Sequence, residues 1–214
     1  MTDRIHQGQP VLRAGVPLEQ AKGAVIMIHG RGASAYDILG IAGELALDNF
    51  TYLAPQAAGN TWYPNRFVMP LESNEPYLSS ALGTVGELVE YLGQQGMPPK
   101  KVMLLGFSQG ACLALEYAAR NATRYGGVVA LSGALIGPDG TPRKYPGSLN
   151  GTPVFLGCSN VDFHIPEYRV HESTEVMRNL GGAVTEKIYP NMGHTVNADE
   201  LKHVQEMMAG MVSA

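Results

Sequence analysis

The stretch KKVMLLGFSQGACLALEYAARN, residues 101–122, joins a short apolar run to a segment of helical period through Gly106-Phe107-Ser108-Gln109-Gly110. The run 101–107 is apolar on both faces, as in a central strand of a parallel sheet covered by helices on each side. A G-x-S-x-G pentapeptide at a strand-to-helix junction exposes the serine oxygen on a sharp turn, while its glycines let neighbouring backbones approach. The junction also puts Ser108 at a helix N-terminus, where backbone N–H groups point at developing negative charge. Outside that setting the pentapeptide arises by chance, and a serine that only N-caps its helix is the plain alternative.

The rest of the chain repeats the alternation. Apolar runs bounded by glycine, proline or asparagine predict strands at 23–30, 51–55, 127–133, 153–159 and 184–190, beside the one at 101–107. Helical period is read over 36–47, 77–95, 109–121, 167–180 and 197–211. This order predicts an α/β fold, a mostly parallel central sheet flanked by helices on both faces, with ligands bound beyond the carboxyl ends of the strands. The longest irregular stretch, 56–76, is of the size of a lid or a binding wall.

With 214 residues, 45% hydrophobic and 16% charged, the chain has the size of one globular domain spanning 1–214. A net charge of −4 without a basic stripe argues against nucleic acid as a partner. No segment has the length of apolar sequence needed to span a bilayer, and the N-terminal residues lack the apolar core of a signal peptide, so no stable membrane association and a cytoplasmic location are expected. Cys112 and Cys158 have neither disulfide nor metal spacing and are read as reduced, buried thiols. No His/Asp/Glu grouping has metal spacing, so neither metal nor cofactor is expected. The oligomeric state is left open, because Met207, Met208 and Met211 in the last helix have the spacing of core packing.

A serine nucleophile needs a general base and a group that orients it. Among the histidines, His194 follows strand 184–190 through a glycine-containing turn and so reaches the sheet edge where Ser108 lies. His6 is in the polar N-terminal segment, His171 and His203 lie in helical stretches, and His29 ends the first strong strand and is expected to pack beneath the loop. Asp162, just after strand 153–159, is the acid that fits between Ser108 and His194 in the order Ser, Asp, His. Asp139 sits in a turn, and Asp199 and Glu200 begin the last helix. His164, two residues beyond Asp162, is read as a pocket histidine. The glycine-bearing loop HGRGAS, 29–34, and the residue after the serine would supply oxyanion donors, the backbone N–H groups of Arg31 and Gln109. The Arg31 side chain is expected to be a solvated charge, or an attractor of an anionic substrate group. Only neutral imidazole accepts the serine proton, so activity is expected to rise with pH as the base deprotonates.

HGRGAS, GFSQGACLAL, ALSG, VDFHIP and YPNMGH, taken together and in this order, resemble the bacterial phospholipase/carboxylesterase family, related to acyl-protein thioesterases within the α/β-hydrolase superfamily. The resemblance runs from about residue 23 to the C-terminus. It implies an α/β-hydrolase fold without a separate cap domain, and hydrolysis of carboxylic esters by Ser108, His194 and Asp162 without a cofactor. Two features depart from the thioesterase pattern: those enzymes usually carry an apolar residue where Arg31 stands, and a different loop in place of TWYPNRF.

For an uncapped site the expected substrate is a small-molecule ester with a small or short acyl chain. Trp62, Tyr63, Phe67, Met69 and Leu71 give loop 56–76 an apolar face, which is either a wall of the acyl pocket or the loop's own packing. Trp62, Tyr63, Phe67, Met69 and His164 are accordingly the candidate substrate contacts. A thioesterase or lysophospholipase with the same residues, and a noncatalytic binding module on a hydrolase fold, are the alternatives.

Overall fold

The computed structural model describes residues 4–45 and 48–213. In chain order its elements are β1 (Val11–Gly15), β2 (Gly23–Ile28), α1 (Ala35–Leu45), β3 (Phe50–Pro55), α2 (Tyr77–Gln94), β4 (Val102–Phe107), α3 (Gln109–Arg120), β5 (Gly127–Leu131), β6 (Pro153–Ser159), α4 (Glu167–Asn179), β7 (Ala183–Tyr189) and α5 (Ala198–Ser213). The seven strands form one sheet in the order β1-β3-β2-β4-β5-β6-β7. All neighbours are parallel except β1 and β3, which pair antiparallel from Val11 opposite Pro55 to Gly15 opposite Thr51.

Every expected strand and helix is present, with ends shifted by a few residues; the last two positions of the helix expected over 36–47 lie outside the described residues. β1 was not anticipated. Its sequence, VLRAG, is short, carries an arginine and is only partly buried, so neither a continuous apolar run nor a clean alternation marks it. Pairing with the edge of β3 creates it.

The alternation of side chains along each strand divides the core between two faces. Val25, Met27, Met103, Leu105, Val129, Leu131 and Phe155 point to the face covered by α1 and α5. Ala24, Ile26, Leu104, Val128, Ala130, Val154 and Leu156 point to the face covered by α2, α3 and α4. Met208 is buried on the first of these faces, with Met207 and Met211 packed against it, so the methionines of α5 are core residues. Cys112 and Cys158 are buried and free. No helix among the described residues is long and apolar enough to cross a membrane.

Helix α3 is buried along nearly its whole length and crosses directly over the ends of β2 and β4. That approach requires the two glycines that flank Ser108. A Cβ on Gly106 would run into the backbone of Gly110, and one on Gly110 would run into the carbonyl of Ile28. The G-x-S-x-G pattern is therefore also a packing requirement of the strand-to-helix turn.

Candidate active site

Ser108 occupies the tip of that turn with φ 55° and ψ −118°, a region that L-residues sparsely populate and that costs about 1–3 kcal/mol. The turn is held because the Ser108 N–H donates to the carbonyl of Leu131 at 2.9 Å and its own carbonyl accepts from Cys112 N at 3.0 Å. The result is a hydroxyl presented above the carboxyl ends of the strands.

His194 follows β7 through Asn191 and Gly193, both with positive φ. Its Nε2 lies 2.9 Å from Ser108 Oγ and its Nδ1 lies 2.6 Å from Asp162 Oδ2. Asp162 stands just beyond β6, its side chain fully buried. Its other oxygen, Oδ1, accepts from the main-chain N–H groups of His164 at 2.9 Å and Ile165 at 3.1 Å. Burial alone would push the Asp162 carboxyl up, but the hydrogen bond with His194 and the two amides outweigh it and leave it below the ordinary carboxylate range. Asp162 is thus an ionised acceptor of fixed orientation, and His194 is aimed at the serine.

The rival acids are engaged elsewhere. Asp139 bonds Tyr168 and Arg169, and Asp199 bonds Lys187 and Tyr189. Glu200 forms a reciprocal capping box with Asn197 at the start of α5: the Glu200 N–H donates to Asn197 Oδ1 and Glu200 Oε2 accepts from the Asn197 N–H, each at 2.9 Å. That box anchors the far end of the loop that carries His194.

Glu200 is buried, and its Oε1 has no hydrogen-bond partner. Burial, assisted by the charge of Asp199 and opposed by the bond from the Asn197 amide, pushes its carboxyl up to about 7. A folded value above the unfolded one means that the neutral acid is favoured by folding. This stability is complete below the ordinary glutamate value of 4.5 and is lost as pH rises through about 7. The loss amounts to about 3 kcal/mol at most. Glu200→Gln, which cannot ionise, is expected to flatten the fall in melting temperature between pH 5 and 8; a wild-type-like slope in the variant would refute the assignment.

Loop 56–76 forms one wall of the site, fixed by hydrogen bonds from remote segments. Gly32 N donates to Asn60 O at 2.8 Å, and the Trp62 indole N–H donates to His29 O at 2.9 Å. His6 is buried and lies 2.9 Å from Trp62 O through Nε2, while its Nδ1 accepts from Ala58 N at 3.1 Å. His29 is buried beneath the loop, where its Nε2 accepts from Ala57 N at 3.1 Å. Neither histidine reaches Ser108.

The side chains of Arg31 and Gln109 grip this same loop. Arg31 donates to the carbonyls of Tyr63, Pro64 and Asn65 at 2.9, 2.8 and 2.6 Å. Gln109 donates to Tyr63 O at 2.8 Å and accepts from Trp62 N at 2.9 Å. Arg31 is exposed, as expected of a solvated charge, and three of its five N–H donors also tie down the loop. The main-chain N–H groups of Arg31 and Gln109 have no acceptor among the described residues, and both residues line the cleft beside Ser108.

The cleft has a volume of about 270 Å³. Tyr63, Phe67, Phe107, Cys112 and Ile165 supply its apolar lining, and His164 and Arg66 stand with Arg31 among its polar groups. Two candidate contacts are corrected. Trp62 is fully buried between His6 and His29 and does not line the cleft, and Met69 is exposed away from it. Tyr63, Phe67 and His164 do line it. The His164 ring meets that of His194 edge-on at 4.7 Å and has no bond to Ser108. Arg66, which sequence reasoning passed over, is the second arginine of the lining; its place in WYPNRF, one residue before Phe67, was the only clue.

A mostly parallel sheet whose strand-to-helix turn carries a serine, followed in the chain by an aspartate and a histidine beyond later strands, defines an α/β-hydrolase. The chain belongs to the Phospholipase/Carboxylesterase family, whose model matches residues 14–211, and is a carboxylic ester hydrolase. It is similar to the crystal structure of a phospholipase/carboxylesterase from Dyadobacter fermentans, with 42% identity, a TM-score of 0.92, and 98% of this chain and 100% of that one covered. It is also similar to proteins named acyl-protein thioesterase 1 from two yeasts. The one from Candida albicans is 29% identical, covering 90% of this chain and 93% of that protein. The one from Debaryomyces hansenii is 26% identical, covering 90% and 92%.

Proposed function

We propose that this chain is a serine carboxylesterase that hydrolyses small or short-chain carboxylic esters through Ser108, His194 and Asp162. The observation that carries the reading is the unbroken hydrogen-bonded series from Ser108 Oγ through both nitrogens of His194 to buried Asp162, opening onto a small, largely apolar cleft. In the first half-reaction His194 Nε2 takes the Ser108 proton as Oγ attacks the ester carbonyl, while Asp162 holds the Nδ1–H tautomer. The oxyanion that forms would be received by the free N–H groups of Arg31 and Gln109. Collapse of the tetrahedral intermediate breaks the bond to the alkoxide, which leaves with the proton from His194. Water then attacks the acyl-Ser108 ester, gives its proton to His194, and releases the acid as the proton returns to Ser108.

The size of the cleft supports the short-chain part of the proposal. At about 270 Å³ it lies at the lower end of small-molecule sites, and Phe67, Tyr63 and Ile165 bound it. Hydrolysis of p-nitrophenyl esters from acetate to laurate is expected to show kcat/KM falling beyond butyrate. A clear preference for the long chains would overturn the acyl-size assignment. Parallel turnover of short acyl thioesters tests the reading suggested by the names of the yeast proteins; a thioester preference would favour it. A cytoplasmic location belongs to the same proposal, supported by the two free, buried thiols.

A further inference from the structure

We infer that the ester this cleft takes carries a second, anionic group, a carboxylate a few atoms from the scissile carbonyl, bound at the mouth by Arg66 with His164 beside it. The inference rests on the hydrolase reading above and names its substrate class.

The charge distribution of the cleft runs against that of the chain. The sequence has 19 acidic residues against 15 lysines and arginines, yet the lining contains Arg31, Arg66, His164 and His194 and, among the described residues, no aspartate or glutamate. Asp162, the carboxylate nearest to Ser108 along this chain of bonds, is turned inward, with its oxygens committed to His194 and two amides. No charge inside the cleft therefore repels an anion.

The two arginines differ in what they have left to offer. Arg31 commits three of its five N–H donors to loop carbonyls, both of those on Nη2 among them, so neither two-pronged face of its guanidinium is open. Arg66 makes one long contact, Nη2 to the carbonyl of His164 at 3.5 Å, and among the described residues no carboxylate pairs with it. Its planar fork of donors matches a carboxylate in two-pronged fashion. The backbone beneath it is anchored, since Arg66 O accepts from Met69 N at 3.1 Å and from Asn74 Nδ2 at 3.4 Å. The next residue, Phe67, lies with its ring 5.2 Å from the buried guanidinium of Arg169. The cation is thus carried on a fixed wall of the same small, largely apolar cleft that Ser108 lines.

The test compares monoethyl succinate with ethyl levulinate, which has a methyl ketone of the same shape in place of the carboxylate. Each kcat/KM is divided by the hydroxide-catalysed rate of the same ester. The wild type is expected to favour the succinate at least tenfold, and 0.5 M NaCl should reduce that ratio. Arg66→Gln is expected to bring the ratio to near one, and Arg66→Lys to keep part of it. Lys202→Gln on α5, the same change of net charge far from the cleft, should leave it as it was. A wild-type ratio at or below one, or a ratio unchanged in Arg66→Gln, would overturn the inference. Turnover of p-nitrophenyl acetate, with Ser108→Ala as blank, separates the two claims: its absence would remove the hydrolase assignment, and this inference with it.

Discussion

Ser108→Ala is expected to lower kcat by about 10⁵- to 10⁶-fold, as removal of the nucleophile does in serine hydrolases of this design. The folded state should persist. The Ser108 hydroxyl faces the cleft, where its partner is His194, and the packing of the turn depends on Gly106 and Gly110. Alanine inherits the strained backbone at φ 55°, so the melting temperature should stay close to that of the wild type. Glycine adopts that region freely, and Ser108→Gly is expected to be equally inactive but more stable by about 1 kcal/mol. Covalent labelling by a fluorophosphonate, read by intact mass, should occur in the wild type and vanish in both variants. Turnover above one part in a hundred in Ser108→Ala would reject Ser108 as the nucleophile.

The second large effect is expected for Asp162→Asn, about 10⁴-fold in kcat. Two main-chain amides, those of His164 and Ile165, donate to Oδ1 of this side chain. An asparagine satisfies them only by turning its carbonyl oxygen toward them, which leaves its NH2 group facing His194 Nδ1. That nitrogen then has to accept, the imidazole proton moves to Nε2, and Nε2 donates to Ser108 where it should accept. The geometry survives while the tautomer is wrong. The expected result is therefore a loss in kcat with little change in KM and in melting temperature. Retention of more than a tenth of wild-type kcat would show that Asp162 does not set the tautomer.

Much of this arrangement was legible before any coordinates. Strands 101–107 and 153–159 are short apolar runs with clear borders, and local hydrophobic pattern suffices to identify them because both faces of a central strand are buried. The order of Ser108, Asp162 and His194 could be read in the same way, since each follows a strand and a parallel sheet brings all such positions to one edge. β1 escaped because an edge strand with one arginine and partial burial has no pattern distinct from a loop.

What the sequence by itself determined is six of the seven strands, the helices between them and the three residues that meet at the carboxyl edge of the sheet. Periodicity and position after a strand are local properties, and they carry that information. What only the tertiary structure decided is the function of the side chains in loop 56–76 and its partners. Trp62, Tyr63, Phe67 and Met69 look alike as an apolar group, yet Trp62 packs between His6 and His29, Met69 faces solvent, and Tyr63 and Phe67 reach the cleft. Arg31 and Arg66 look alike as cations, yet one is held by three carbonyls and the other is left with open donors. An irregular loop has no repeating geometry, so each of its side chains takes the direction set by hydrogen bonds and contacts from residues tens of positions away.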